Sequence, residues 1–392
     1  MDFDDAPDEA VWRDECREWL AANVGRLDDA PRDPIRRAKA WQAIKFDAGL
    51  AKIGWDPEHG GCNGSPMQSI IFNQEEAEHR VPPNLFQIGL DFVAPTLRAH
   101  GTDAQRQRHL RPLLRGDEVW CQMFTEPNAG SDVAGLATSA IRDGDEWVIN
   151  GQKVWTSQAH YADFGEVLCR TDPDMPKHQG ITAFILDLKS PGVTVRPLRQ
   201  MTGSADFNEI FLDDVRVPHT DVIGEPGEGW HVAVTTLMNE RSSLGAGSGG
   251  SRDRTALRLA DLARRRAAYG PIARQQIADI WIRSEIARYL GMRTLTAASH
   301  GRRPGPEGSV AKLAKTKLAV DVANVAMALL GPAGMAGADG DVRWVKRFLG
   351  APGFRLGGGT DEVNRNVVAE RVLGLPGEPR DDDTLPWREV PR

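Results

Sequence analysis

The chain changes its hydrophobic period twice, and that double switch restricts the fold more than any single motif does. From Asp8 to about Leu114, apolar residues recur at three- and four-residue steps: Val11, Trp12, Cys16, Trp19 and Leu20, then Ile35, Ala38, Trp41 and Phe46. This spacing predicts amphipathic helices with core-facing stripes and Asp8 as an N-cap. Residues 60–66, rich in Gly, Asn and Pro, interrupt the series; residues 67–77 resume it and end near Glu75 and Glu76, expected on a solvated face. From about Val119 to Val222 the period shortens. Residues 146–155 read as two short runs joined by Asn150-Gly151, a strong hairpin signal, and strand-like runs follow at 167–170, 181–188, 193–195 and 208–217. Past Gly227-Glu228-Gly229-Trp230 the helical spacing returns in segments 231–244, 255–268, 274–298, 308–330 and 341–349. The fold class expected is mainly α with a central β domain. Its domains are N-terminal and helical over 1–118, a small β-barrel or sheet over 119–222, and a C-terminal helical bundle with a tail over 223–392.

Composition narrows the function. A chain of 392 residues exceeds one ordinary core, so two or three domains are expected. A net charge of −7 supplies no basic field for nucleic acid or an anionic membrane surface. Cys16, Cys62, Cys121 and Cys169 are too scattered for a disulfide framework or a metal-ligand set, which fits reduced thiols in cytoplasm. The start, Met1-Asp2-Phe3-Asp4-Asp5, is acidic where a signal peptide would be basic and then apolar, and no apolar run approaches the ~20 residues of a membrane span. Neither a Gly-x-Gly-x-x-Gly turn nor a P-loop occurs between a strand and a helix, so a nucleotide cofactor would have to be held some other way. Arg380-Asp381-Asp382-Asp383 begins a polar tail that reads equally as wrapping or disordered.

Residues 121–132 form the best candidate for a ligand loop. Pro127 and Asn128 favour a turn, Gly130 lets backbone approach a ligand closely, and Thr125 and Ser131 bring hydroxyls. About 25 residues on, Asn150-Gly151-Gln152-Lys153-Val154-Trp155-Thr156-Ser157 ends in one aromatic and two hydroxyls. With Gly227-Glu228-Gly229-Trp230 and Gly359-Thr360-Asp361-Glu362-Val363-Asn364-Arg365-Asn366, these segments, in this order, resemble the acyl-CoA dehydrogenases over nearly the whole chain.

That resemblance implies a helical N-terminal domain, a central β domain and a C-terminal four-helix bundle that tetramerises. It implies FAD held by Met123, Phe124, Thr125, Ser131, Trp155, Thr156 and Ser157, with Thr360 and Glu362 contributing near a subunit interface. Ser157 stands where many members have a threonine, keeping the hydroxyl but losing the methyl that restrains its rotamer. Arg266, Tyr269 and Gly270 partly echo an element that reaches FAD phosphate. Substrate contacts are expected from Ser131, Arg241 and Gly358. The implied reaction turns an acyl-CoA into a trans-2-enoyl-CoA, with an electron-transfer flavoprotein as acceptor and a homo- or heterotetramer as the assembly.

One departure from the family is informative. Many members place the catalytic glutamate just before the Gly-Thr of the C-terminal motif, where this chain has Gly358. Another branch, including isovaleryl-CoA, long-chain and bacterial steroid-type enzymes, carries it in a Glu-Arg pair on the first bundle helix. Here Glu240-Arg241 match that pair, so the resemblance implies Glu240 as the base that takes the α-proton. Taken alone, a Glu-Arg pair is most often a surface ion pair. The small residues at 245–250 read either as room for a branched or polycyclic acyl group or as a packing kink. Rival expectations are an acyl-CoA oxidase or flavin monooxygenase on the same scaffold, and a partner subunit of a heteromeric steroid-type enzyme.

Overall fold

The computed structural model describes residues 5–246, 254–299, 305–337, 341–377, 379 and 384–390. These form two compact units, one of residues 1–200, 205–240 and 378–392, the other of 201–204 and 241–377.

In the first unit the N-terminal helices are α1 (Pro7–Val24), α2 (Pro34–Asp47), α3 (Pro66–Glu76), α4 (Ala94–His100) and α5 (Asp103–Arg115), with a π-helical turn, Ile88–Val93, leading into α4. Their starts follow from local chemistry. Ser65 and Gln68 cap α3 reciprocally, as Thr102 and Gln105 do α5, while the Asp33 carboxylate accepts from Arg36 N. At α1 the expectation fails: Pro7 opens the helix, so Asp8 lies inside the first turn, and Glu9 folds back to accept from Ala6 N at 2.9 Å. The stripes meet in part: Cys16, Leu20, Trp41, Ile71 and Phe72 form one cluster, Ala38 and Phe46 join the main core, and Val11 is exposed. Glu75 and Glu76 are not on a solvated face. Glu75 takes Arg13 and Arg17 at 2.7 and 2.9 Å, and Glu76 accepts from the Trp41 indole at 2.7 Å, because α1 and α2 close over that end of α3.

Strands β1 (Trp120–Met123), β2 (Ser139–Asp143), β3 (Glu146–Ser157), β4 (Phe164–Arg170), β5 (Ile181–Asp187), β6 (Val193–Leu198), β7 (Phe207–Pro218) and β8 (Val222–Ile223) build one sheet. Its order is β6-β7-β3-β2-β4-β5-β8, with β1 parallel to β4. The hairpin expected at Asn150-Gly151 is absent from it. β3 runs through that dipeptide, and the turn lies upstream at Gly144 (φ 64°), joining β2 to β3. Because β3 is paired on both sides, the turn signal is absorbed as a register slip against β7 between Ile149 and Gly151. Asn150 braces it by exchanging two hydrogen bonds with Asp214. A Cβ at Gly151 would lie 2.7 Å from Thr138 Cα, so packing also requires glycine there.

α6 (Gly229–Ala246) follows the sheet. Near the C-terminus, Pro386 bridges Pro176, Trp387 N donates to Met175 C=O at 2.9 Å, and the Arg170 guanidinium lies 4.9 Å from the Trp387 ring. That segment therefore wraps back onto the sheet; residues 380–383 lie outside the described residues. The second unit holds α7 (Thr255–Arg265), α8 (Pro271–Ser299), α9 (Gly308–Leu330), α10 (Pro332–Met335), α11 (Val342–Phe354) and α12 (Asp361–Val367), packed around Leu259, Leu262, Ile280, Val322 and Trp344. Of the 245–250 run, residues 247–250 lie outside the described residues.

Candidate flavin and acyl-CoA site

β1 carries residues 121–123 into the sheet beside β4, and the chain then leaves as the 124–138 loop. Met123 and Phe124 are buried in the main core, so only their backbone is available to a ligand. Pro127 and Asn128 form the tip of a tight turn closed by Glu126 N to Ala129 C=O (3.0 Å) and Ala129 N to Glu126 C=O (3.1 Å), leaving Gly130 and Ser131 exposed beyond it. Val154 N donates to Thr125 C=O at 2.9 Å, which ties the loop to β3.

A buried ion pair reinforces this junction. Lys153 Nζ lies 2.8 Å from Glu126 Oε1, and the same carboxylate accepts from Ala137 N and Thr138 N at 2.7 and 2.9 Å. Burial works to raise the Glu126 pKa, but the Lys153 ammonium and the amides outweigh it and hold the carboxyl below its ordinary value. The pair is therefore ionic, with its charge fully partnered. Sequence reading attached no role to either residue, although each sits inside one of the two motifs that mark the site.

At the end of β3 the register against β7 slips again, between Lys153 and Thr156. The slip turns Trp155 outward: φ is 59°, the side chain is 58% exposed, and its ring meets Phe207 edge-on at 6.1 Å. A non-glycine residue held in left-handed backbone costs about 1–3 kcal/mol and occurs preferentially where a ligand is clamped. Thr156 faces the interior instead, with a buried hydroxyl that has no protein partner among the described residues. Thr156 regains register opposite Asn208, half-buried Ser157 pairs with Phe207, and His160 is engaged with Asn208 at 3.1 Å. An exposed aromatic plane with the half-buried hydroxyl residues Thr125 and Ser157 fits a planar, polar-edged ring such as a flavin.

In the second unit, Gly358 and Gly359 have φ of 67° and 80°, a region L side chains rarely adopt. Thr360 caps α12 by accepting from Val363 N at 3.1 Å, and Glu362 is exposed beside Arg365. Buried Asp361 fixes the motif through Arg355 (2.6 Å), while Lys312 Nζ donates to Gly359 C=O at 2.6 Å. Arg266 is committed to buried Asp341, its Nη2 2.6 Å from the carboxylate. Glu240 and Arg241 are consecutive, half-buried residues of α6. Gly227, Glu228 and Trp230 of the Gly227-Glu228-Gly229-Trp230 motif line a cavity of about 600 Å³ with Thr171, His178 and His231, where the His178 and Trp230 rings lie 4.7 Å apart.

Residues 6–117, 121–215 and 227–373 match the N-terminal, middle and C-terminal domain models of acyl-CoA dehydrogenase. The chain is 37% identical over 382 residues to acyl-CoA dehydrogenase IpdE1 of Mycobacterium tuberculosis, covering 94% of this chain and 98% of that one. The chain belongs to the acyl-CoA dehydrogenase family. It is an oxidoreductase of that type, with FAD as its cofactor. Among solved structures it is similar to the Tcur3481-Tcur3483 steroid ACAD, with a TM-score of 0.82 and 29% identity over 96% of this chain and all of that one. The ChsE4-ChsE5 complex from Mycobacterium tuberculosis aligns with a TM-score of 0.78, also at 29% identity, over 96% and 100% of the two chains.

Proposed function

We propose that this acyl-CoA dehydrogenase desaturates a bulky, steroid-type acyl-CoA, with Glu240 as the base. The observation that carries the assignment is at Gly358, where many relatives place the glutamate. Backbone in the left-handed region there is built for glycine and supplies no carboxylate, while α6 offers Glu240-Arg241. Glu240 takes the α-proton of the thioester, and Ser131, Arg241 and Gly358 are assigned to the substrate. Trp155, Thr125, Ser157 and the backbone of residues 123–125 and 156 hold the isoalloxazine, with Ser131, Thr360 and Glu362 at the rest of the dinucleotide. When bound, FAD supplies the acceptor for the hydride that leaves the β-carbon.

The bulky-substrate reading is supported by the similarity to a steroid ACAD, and a heteromeric assembly by neighbours whose structures pair two differently named chains. We assign an electron-transfer flavoprotein as the acceptor and the cytoplasm as the location. No described helix is long and apolar enough to cross a membrane.

The test is the absorbance spectrum of the purified protein under anaerobic titration with straight-chain, branched and steroid-type acyl-CoAs. Wild type should bleach fastest with the polycyclic substrate, and Glu240→Gln should stay yellow yet fail to bleach. Undiminished bleaching by the variant removes Glu240 as base. Fastest bleaching by short straight chains removes the bulky-substrate reading. A colourless chain that turns yellow only with a related subunit supports the heteromer.

A further inference from the structure

Glu166 lies on β4, fully excluded from solvent, with the uncharged Gln122 and Ile185 as its register neighbours on β1 and β5. Its Oε1 is 2.7 Å from Thr236 Oγ1 on α6, and Oε2 is buried without a hydrogen-bond partner among the described residues. Thr236 Oγ1 is in turn 2.9 Å from Thr96 Oγ1 on α4, and the Thr96 hydroxyl is 2.8 Å from Phe92 C=O in the π-helical turn. Among the described residues the other acceptor beside Thr236 Oγ1 is Val232 C=O, at 3.3 Å.

Counting hydrogens bears on the protonation state. The three short contacts need three protons, and the threonine hydroxyls supply two. With an ionised Glu166, one of these contacts would bring two oxygens together with no hydrogen between them. A neutral acid supplies the third proton and gives every O–H an acceptor, running from Glu166 to Thr236, from Thr236 to Thr96, and from Thr96 to Phe92 C=O. Burial without a cationic partner acts in the same direction, pushing the Glu166 pKa up to about 8.

We propose that Glu166 is carried as a neutral carboxylic acid and is a positioning residue, closing a one-directional hydrogen-bond chain that fixes α6 against β4 and the π-helical turn. Thr236 and Glu240 are four residues apart on α6 and so share a face about one turn apart. The chain of hydroxyls thereby sets where Glu240 is presented. This last consequence rests on Glu240 being the base; the neutral acid does not.

The test uses the FAD-loaded protein. Infrared difference spectra between wild type and Glu166→Gln at neutral pH should show loss of a protonated carboxylic C=O band; loss of carboxylate bands instead overturns the proposal. Glu166→Leu and Thr236→Val should retain FAD but raise amide exchange over residues 233–240 and slow anaerobic bleaching roughly ten- to a hundredfold. Glu166→Gln, whose amide can donate to Thr236 as the acid does, should stay near the wild-type rate. Wild-type exchange and bleaching in both disruptive variants overturn the positioning role even if Glu240→Gln is inactive. Full bleaching by Glu240→Gln removes the base assignment and leaves the infrared result standing. Should Glu166→Leu fail to fold, the nearly isosteric Thr236→Val decides the positioning role.

Discussion

Lys153 Nζ lies 2.8 Å from Glu126 Oε1, with the lysine side chain fully buried and the carboxylate almost so. One residue belongs to the turn-rich loop after β1 and the other to β3, two residues before the outward-turned Trp155. The pair therefore locks together the two segments that present Thr125 and Trp155. With three donors to one carboxylate, the desolvation of both charges is offset by direct hydrogen bonds.

Removing one partner strands the other. Lys153→Met should destabilise the protein by about 3–5 kcal/mol and loosen FAD, while Lys153→Met with Glu126→Gln should recover part of the loss. Thermal melts and flavin retention on gel filtration check this. Equal losses in the single and double variants would show the pair to be uncoupled.

Moving the base back to the C-terminal motif should not work. Adding Gly358→Glu to Glu240→Gln should leave bleaching suppressed, because an L side chain at φ 67° costs about 1–2 kcal/mol and the peptide is held by Asn364 and Lys312. Anaerobic bleaching of the double variant decides it, and recovered turnover would mean that the 357–359 backbone adapts.

Ser157 offers its hydroxyl at the end of β3. Ser157→Ala should slow bleaching by about five- to tenfold, consistent with a lost hydrogen bond of roughly 1 kcal/mol. Ser157→Thr should equal or exceed wild type, since the added methyl restrains the rotamer. An alanine variant as fast as wild type would place the contact elsewhere.

Stability should depend on pH through Glu166. Its carboxyl ordinarily titrates at 4.5 and in the fold at about 8, so between those values the unfolded chain releases a proton that the folded chain keeps. Stabilisation present below about 4.5 is thus lost as pH rises toward about 8. Denaturant melts from pH 5 to 8 should show wild type losing up to roughly 1.4 kcal/mol per pH unit relative to Glu166→Gln. A constant difference across the series contradicts a neutral Glu166.

Periodicity made the order of elements legible. Apolar spacing is set by which face each element buries, so the helical, strand-rich and helical regions could be read directly, as could the runs that became β4, β5, β6 and β7. Asn150-Gly151 misled because turn propensity is local, whereas the second partner strand that keeps β3 extended is not. Glu75 and Glu76 misled for the same reason: their partners, Arg13 and Trp41, come from helices 62 and 35 residues away.

Short motifs carried the family and the candidate flavin loop because close backbone approach and hydroxyl placement restrict residue type at each position. What joins Glu126 to Lys153, turns Trp155 outward, sets Gly358 in left-handed backbone and leaves buried Glu166 against Thr236 was decided by the tertiary structure. Burial and register between distant segments fix charge state and strain, and neither is a property of a residue's neighbours in sequence.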